Sequence, residues 1–247
     1  MIGKDSPLRQ LPASLDQKQA LYFDGMRHAI EIADLAYRRL VTTLATIAQS
    51  VELEVDGASM TSAFADSWTF VDAMHRFRGL WNLMPGFEDL CGPPTRGAIA
   101  WRQMLADVTD VRNVADHIGT RVDYVLAQRM PVLGALSWFT ADPDMSGGKI
   151  CVLAPGSFIG KKTMTAVNPA GRQMSLIRLT GLIHLGAGEY RVCLSEVHDL
   201  LELEVRRLEA AIGAQTGGRD NAGADALIVA RIKFDQPQCS VKDDRRQ

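Results

Sequence analysis

Apolar side chains recur every three or four residues through the first half of the chain, and this spacing most constrains how the chain can fold. Residues that far apart lie on one face of an α-helix. We predict helices over residues 14–50, 59–84 and 95–129. Their apolar faces must be buried against one another, which predicts a helical bundle. The most regular of the three stripes consists of Trp101, Met104, Val108, Val111, Ala115, Ile118, Val122 and Val125.

The second half of the chain has a different pattern, with short apolar stretches separated by turn-forming residues. Residues 149–153, 175–185 and 189–194 are predicted as strands, and the last two form a hairpin around Gly186-Ala187-Gly188. Residues 226–234 are predicted as a final strand. These stretches together predict a small antiparallel sheet.

A further helix is predicted to start at Ser195 and to end near Gly213, where a glycine suits a C-terminal cap. The apolar segment 133–139 precedes a turn-rich stretch and is assigned to neither a helix nor a strand. We therefore predict an α+β fold, with a long-helix bundle over residues 1–141 followed by a small antiparallel sheet with a packed helix over residues 149–240.

Charge and composition narrow the classes of function. The 247 residues include 27 Lys and Arg against 29 Asp and Glu, and this near balance argues against a protein that coats nucleic acid or membrane by bulk charge. Neither a signal-peptide pattern nor a run of about 18 apolar residues is found, so we expect a cytoplasmic protein without a membrane partner. The scattered cysteines predict free thiols, with neither a disulfide framework nor a zinc site.

One short run, Arg112-Asn113-Val114-Ala115-Asp116-His117, combines a cation, an amide and an imidazole at helical spacings. At roughly 100° per residue, Asn113 and His117 lie one turn apart on the face opposite the apolar stripe. Arg112 lies near the edge of that stripe, where its long side chain can reach the polar face. Such a face suits an active cleft or a partner surface, and it equally suits solvent.

Arg112 and His117 are the candidate catalytic residues, and the chemistry that they suit is cleavage of a phosphodiester. Histidine titrates near neutrality and can take or give a proton at the RNA 2′-hydroxyl or at the leaving oxygen. Arginine offers a fork of donors to the charge that develops on the phosphoryl group. Asn113 is a supporting residue that can fix the imidazole tautomer or hold the phosphate. This chemistry needs no cofactor and no metal.

The run resembles the R-x(4–6)-H motif of the HEPN superfamily (higher eukaryote and prokaryote nucleotide-binding), helical bundles that bear the motif late in a helix, often beginning Arg-Asn. The matching residues are Arg112, Asn113 and His117, and the resemblance covers the N-terminal helical half only. It implies a two-fold homodimer that brings both motifs into one cleft and, in active members, a metal-independent endoribonuclease with an RNA substrate. Many relatives are toxins or antiphage defence proteins, which implies a cognate antitoxin, and others are inert.

Acidic residues near Arg112 leave a second function open. Asp116 is four residues after Arg112, so the two can form a weak surface ion pair that neutralises the guanidinium. The alternative is a non-catalytic helical dimerisation or interaction protein in which the motif is a remnant. If the second and third helices are antiparallel neighbours, Asp72 is a supporting acid of the same cleft, which Asp66, His75 and Arg78 can also line, although His75 is expected at the core boundary.

Two glycine-rich stretches come close to nucleotide-binding motifs without matching them. Residues 155–163 are one residue short of a phosphate loop, and Lys162 stands where Ser or Thr is needed. Gly186-Ala187-Gly188 lacks the third glycine and the following helix of a dinucleotide site. We predict turns at both places.

Overall fold

The computed structural model describes residues 1–12, 14–50, 55–86, 96–117, 120, 123, 131, 133–142, 144, 147–155, 179–214 and 227–230. Over these residues the fold is α+β, as the sequence predicts: long helices pack together, an antiparallel sheet follows, and a further helix packs against that sheet. The glycine-rich stretch 156–163 and the basic residues around it lie outside the described part of the chain.

Three long helices form the first part of the structure: α1 (Gln17–Gln49), α2 (Gly57–Leu83) and α3 (Arg96–Asp116). Asp16 is the N-cap of α1, and its carboxylate accepts a hydrogen bond from the backbone N–H of Gln19 at 2.8 Å. Asp56 caps α2 in the same way, through the N–H groups of Ala58 and Ser59, both at 2.9 Å. These caps satisfy N–H groups that have no partner within the helix, which explains where α1 and α2 begin.

α3 ends at Asp116, before the end of the helix predicted over residues 95–129, although Asp123 is again helical. Residues 118–119, 121–122 and 124–129 of the predicted range lie outside the described part of the chain. His117 and Thr120 lie in a turn instead, closed by a hydrogen bond from the Thr120 N–H to the His117 carbonyl oxygen at 3.0 Å. Apolar spacing alone does not mark a helix end.

α1 and α2 pack as antiparallel neighbours. Gly25 of α1 lies so close to Leu80 of α2 that a Cβ atom there would be 2.9 Å from Leu80 Cδ1. Farther along, Arg39 of α1 lies beside Asp66 of α2. α2 is the central helix, as its apolar residues on more than one face predict, and its buried residues are Ala63, Phe64, Asp66, Ser67, Phe70, Val71, Ala73, Met74, Phe77 and Trp81.

The described strands are β1 (Ala135–Ala141), β2 (Gly148–Leu153), β3 (Thr180–Ala187) and β4 (Tyr190–Cys193), and all neighbours in the order β2-β1-β3-β4 are antiparallel. β2, β3 and β4 confirm the predicted strands, except that residues 175–178 of the second one lie outside the described part of the chain. The pattern did not identify β1. Most of β1 is buried, so the alternation of apolar and polar residues that marks a half-exposed strand is absent. β1 precedes the predicted boundary yet pairs with strands beyond it, and the two-domain division stays a prediction.

The hairpin between β3 and β4 turns at Gly188 and Glu189, where Gly188 has a φ of 60°. Gly186 and Ala187, which the sequence predicts in the turn, instead pair with Arg191 and Tyr190 in the ladder. The turn therefore begins two residues later than predicted. It begins at Gly188 because this residue takes the left-handed conformation, which glycine adopts without strain.

Helix α4 (Leu194–Gly213) follows β4 without a loop and confirms the predicted helix. Its predicted apolar stripe is buried, from Val197 and Leu201 to Ile212. The final strand predicted over residues 226–234 is wrong for the part that can be seen, because residues 227–230 are not in a strand and the Ile228 side chain is 92% exposed.

One hydrophobic core joins the helices to the sheet. Tyr37 of α1 packs against Phe70 of α2 with ring centroids 5.8 Å apart, and Phe77, Trp81 and Trp101 form an aromatic group between α2 and α3. Leu136 and Trp138 of β1 and Ile183 of β3 belong to the same core. Of the helices that the structure describes, none is both long enough and apolar enough to cross a bilayer.

Candidate functional site

The antiparallel packing of α2 and α3 brings polar side chains of both helices together. Side chains one turn apart on α2 meet side chains one turn apart on α3, because residues i and i+3 lie on one helix face. We call this group the interhelical cluster; it consists of Asp72, His75 and Arg78 of α2 with Thr109, Arg112 and Asp116 of α3.

Arg112 lies at the centre of the interhelical cluster and is held by two carboxylates. Its Nε donates to Asp72 Oδ1 at 2.9 Å, and its Nη1 is 2.5 Å from Asp116 Oδ2. The side chain is 28% exposed, against 48% for Asp72 and 44% for Asp116. Asp72 and Asp116 are therefore both next to Arg112, as the sequence suggests. Within the described residues, Nη2 of Arg112 has no hydrogen-bond partner and remains able to donate.

Asn113 and His117 lie at the exposed end of α3. The His117 N–H donates to the Asn113 carbonyl oxygen at 3.3 Å, so the backbone still follows the helix up to this point. The His117 carbonyl oxygen then accepts from the N–H and the hydroxyl of Thr120. Among the described residues, nothing hydrogen-bonds to the His117 imidazole, and His117 is exposed.

A second set of contacts in the interhelical cluster meets at Thr109. Its hydroxyl donates to the Leu105 carbonyl oxygen at 2.9 Å and accepts from Arg78 Nη1. His75 Nδ1 is 3.4 Å from the same hydroxyl oxygen. His75 is half-buried, which confirms the predicted position at the core boundary. Burial lowers the pKa of His75, and the nearby Arg112 and Arg78 guanidinium groups lower it further.

The interhelical cluster differs from the sequence prediction at Asp66 and Thr109. Asp66 does not reach the interhelical cluster but lies against α1, where its Oδ2 is 3.4 Å from Arg39 Nε. Burial raises the pKa of Asp66, and the Arg39 charge opposes that effect. The sequence analysis missed Thr109. Its spacing was a usable signal, because Thr109 lies three residues before Arg112 and thus on the same face of α3.

A separate polar group lies in a cavity between α1 and α4, and the sequence analysis missed it altogether. Asp34 Oδ1 is 3.1 Å from His198 Nε2, and Asp34 Oδ2 binds the Met1 amino group at 3.1 Å and Arg38 Nη2 at 2.8 Å. The His198 ring stacks on Tyr37 with centroids 4.0 Å apart. The cavity beside them has a volume of about 510 Å³. We call this group the Asp34–His198 pair.

Electrostatics in this cavity favour the ionised form of Asp34. Burial alone would raise the pKa of Asp34, but hydrogen bonds from His198 and the Met1 amino group outweigh it, together with the positive charges of that amino group and of Arg38. The balance lowers the pKa of Asp34 to about 2. The signal in the sequence was a charged residue in an apolar stripe, since Asp34 lies between Ala33 and Tyr37 on the buried side of α1.

Two of the cysteines, Cys151 and Cys193, lie in the described part of the chain. Cys151 in β2 is a free thiol, as predicted, and burial raises its pKa. Nowhere in the described ranges do three His, Cys, Asp or Glu side chains converge in a way that would hold a metal ion.

Comparison with protein-family models, with curated proteins and with solved structures finds no match to this chain.

Proposed function

We propose that the protein is a HEPN-like, metal-independent endoribonuclease in which Arg112 and His117 act on RNA. The observation that carries the proposal is the state of Arg112: its guanidinium is held firmly between two helices, is part exposed, and keeps Nη2 available. Asn113 and His117 lie at the exposed end of the same helix. A fixed cation five residues before an exposed histidine supports a reaction at a phosphodiester.

Each residue has a distinct role in this proposal. Arg112 donates to the non-bridging oxygens of the phosphate and stabilises the charge that develops there. His117 transfers a proton at the bridging or attacking oxygen. Asp72 and Asp116 hold the guanidinium of Arg112 in place, because Asp72 accepts from its Nε and Asp116 forms an ion pair with its Nη1. Asn113 makes no hydrogen bond to the His117 ring in the structure, and in this proposal it helps to hold the phosphate.

The proposal includes a homodimer. A single exposed imidazole next to solvent is poorly shielded, and a second copy related by two-fold symmetry would cover this end of α3 and exclude water from the reacting phosphate. The resemblance to HEPN proteins also supports a role in a toxin or antiphage system with a cognate antitoxin. Such a role predicts that expression of the parent slows growth more than expression of an Arg112 or His117 variant.

The experiment compares RNA cleavage, in the presence of a metal chelator, by the wild type and by Arg112→Ala and His117→Ala. Matched controls are Arg206→Ala, an exposed arginine of α4 paired within its own helix, and His28→Ala on the exposed side of α1. We expect each motif variant to lose at least about 100-fold in rate while the controls retain wild-type activity. Wild-type protein that leaves RNA intact, or motif variants that cut as fast as the controls, would refute the proposal.

One observation favours a second candidate function. Two of the guanidinium nitrogens of Arg112 are already occupied by Asp72 and Asp116, so the ion pairs can serve to join α2 and α3 in a non-catalytic interaction protein. That candidate predicts association without turnover. Light scattering would then give the same dimer mass for the wild type and for His117→Ala, and neither would cut RNA.

A further inference from the structure

Hydrogen bonding at Thr109 favours one tautomer of His75. The Thr109 hydroxyl uses its one proton on the Leu105 carbonyl oxygen at 2.9 Å, and it accepts a hydrogen bond from Arg78 Nη1. Its oxygen can therefore only accept from His75 Nδ1, which lies 3.4 Å away. Nδ1 carries the proton of the neutral ring, and Nε2 is left with a lone pair.

The surroundings of His75 keep its ring neutral at pH 7. Burial lowers its pKa below the ordinary value of 6.5, and the charges of Arg112 and Arg78 add to this effect. Asp116 and Asp72 face the ring as well and act in the opposite direction, but they do not outweigh the lowering. Among the described residues, Nε2 has no hydrogen-bond partner. The lone pair is thus in a position to take a proton.

We propose that His75 is a second catalytic residue, whose Nε2 takes the proton from the attacking 2′-hydroxyl of RNA while His117 protonates the leaving 5′-oxygen. The inference rests on the proposed ribonuclease function and deepens it, because it assigns the base and the acid to different histidines. His75 lies one turn along α2 from Asp72, which binds Arg112 at 2.9 Å. The base and the guanidinium that stabilises the phosphoryl group therefore occupy neighbouring turns of two packed helices.

The proton transfers balance in one step. His75 Nε2 accepts the proton of the 2′-hydroxyl as the 2′-oxygen bonds to phosphorus. The bond from phosphorus to the 5′-oxygen breaks, and that oxygen takes a proton from the His117 imidazolium. The products are a 2′,3′-cyclic phosphate and a 5′-hydroxyl, and exchange of protons with water restores both histidines.

The helix geometry also indicates which copy of the chain supplies the acid. His75 contacts α3 at Thr109, and at a rise of 1.5 Å per residue Thr109 and His117 are roughly 12 Å apart along the helix axis. One phosphate cannot readily bridge that distance. The His117 of the second copy in the proposed dimer is therefore better placed to act on a phosphate held by Arg112 and His75.

The kinetic test uses His75→Asn, because the Asn amide N–H replaces Nδ1–H toward Thr109 and nothing replaces the Nε2 lone pair. We expect kcat to fall by at least about 100-fold and the acid-side limb of the kcat–pH profile to disappear. KM should change by no more than about twofold, since Arg112 still binds the phosphate. His28→Asn, on the exposed side of α1, is the matched control and should retain the wild-type rate.

A second measurement tests the tautomer without any turnover. Two-dimensional 15N–1H spectra of the histidine rings distinguish a protonated from an unprotonated ring nitrogen, and loss of one ring system in His75→Asn assigns the signals. We expect Nδ1 of His75 to be protonated and Nε2 unprotonated at pH 7. The opposite tautomer, or a doubly protonated ring at that pH, would overturn the inference.

The outcomes separate this inference from the proposed function. If the wild type cuts RNA, His117→Ala does not, and His75→Asn cuts at the wild-type rate, then the role of His75 is wrong while the ribonuclease proposal stands. If the wild type does not cut RNA, both are wrong. Slow cleavage by His75→Asn with the predicted tautomer in the wild type supports both.

Discussion

Replacement of Asp34 should lower the free energy of unfolding by about 2 to 4 kcal/mol and should change how this free energy depends on pH. Asp34 is 6% exposed and binds His198, the Met1 amino group and Arg38. The pKa of Asp34 falls from 3.8 to about 2 in the folded protein, which corresponds to about 2 kcal/mol at 1.36 kcal/mol per pKa unit. Asp34→Asn also leaves buried donors without their carboxylate, and such a loss costs up to about 3–5 kcal/mol.

The sign of the pH effect follows from the lowered pKa. Ionised Asp34 contributes its stability above pH 3.8, and this contribution is lost as the pH falls through the folded-state pKa of about 2. The assay is urea unfolding of the wild type and of Asp34→Asn at pH 7, repeated from pH 5 to pH 2. The variant should be less stable at pH 7 and should lose less stability than the wild type between about pH 4 and pH 2.

Glu202→Gln is the matched control, because Glu202 lines the same cavity but has a side chain that is 40% exposed and that pairs with Arg206 within α4. It should change the free energy of unfolding by no more than about 0.5 kcal/mol. The reasoning about Asp34 fails if Asp34→Asn is as stable as this control at pH 7, or if wild type and variant show the same acid dependence.

Three further variants test other parts of the structure. The lowered pKa of His75 means that protonation destabilises the fold, so wild-type stability should fall as the pH drops below 6.5, and His75→Asn should lack this dependence in urea titrations. Gly134→Ala should lower the thermal midpoint, because Gly134 has a φ of 78° and a Cβ there would be 2.3 Å from the Gly186 carbonyl oxygen. Phe77→Ala removes a fully buried ring that packs on Trp101, and it should lower the free energy of chemical unfolding by about 3–5 kcal/mol. The same kind of truncation at an exposed position should change this free energy little.

The helices were predictable because their signal is local. The stripes of α1, α2 and α4 depend only on spacing along the chain, and the buried residues of the structure fall on them. β1 was not predictable in this way, since a strand buried on both faces has no alternation. The end of α3 at Asp116 was not predictable from spacing, because apolar residues continue at helical spacing beyond it in the sequence.

The candidate site was predictable in part for the same reason. Arg112 and Asp116 are on one helix, and their ion pair follows from their spacing. The contact of Arg112 with Asp72 forms because α2 and α3 are antiparallel neighbours. The sequence alone could not establish that packing. The Asp34–His198 pair joins residues from opposite ends of the chain, and no spacing along the sequence links them.

The most direct test of the central claim is the chemical identity of the product when the wild-type protein is incubated with an RNA oligonucleotide and a metal chelator. Phosphorus NMR of that mixture separates a 2′,3′-cyclic phosphate from an intact phosphodiester. The account predicts the cyclic phosphate with the wild type and its absence with His117→Ala. Unchanged phosphodiester signals from a folded, dimeric wild-type protein would contradict a ribonuclease built on Arg112 and His117.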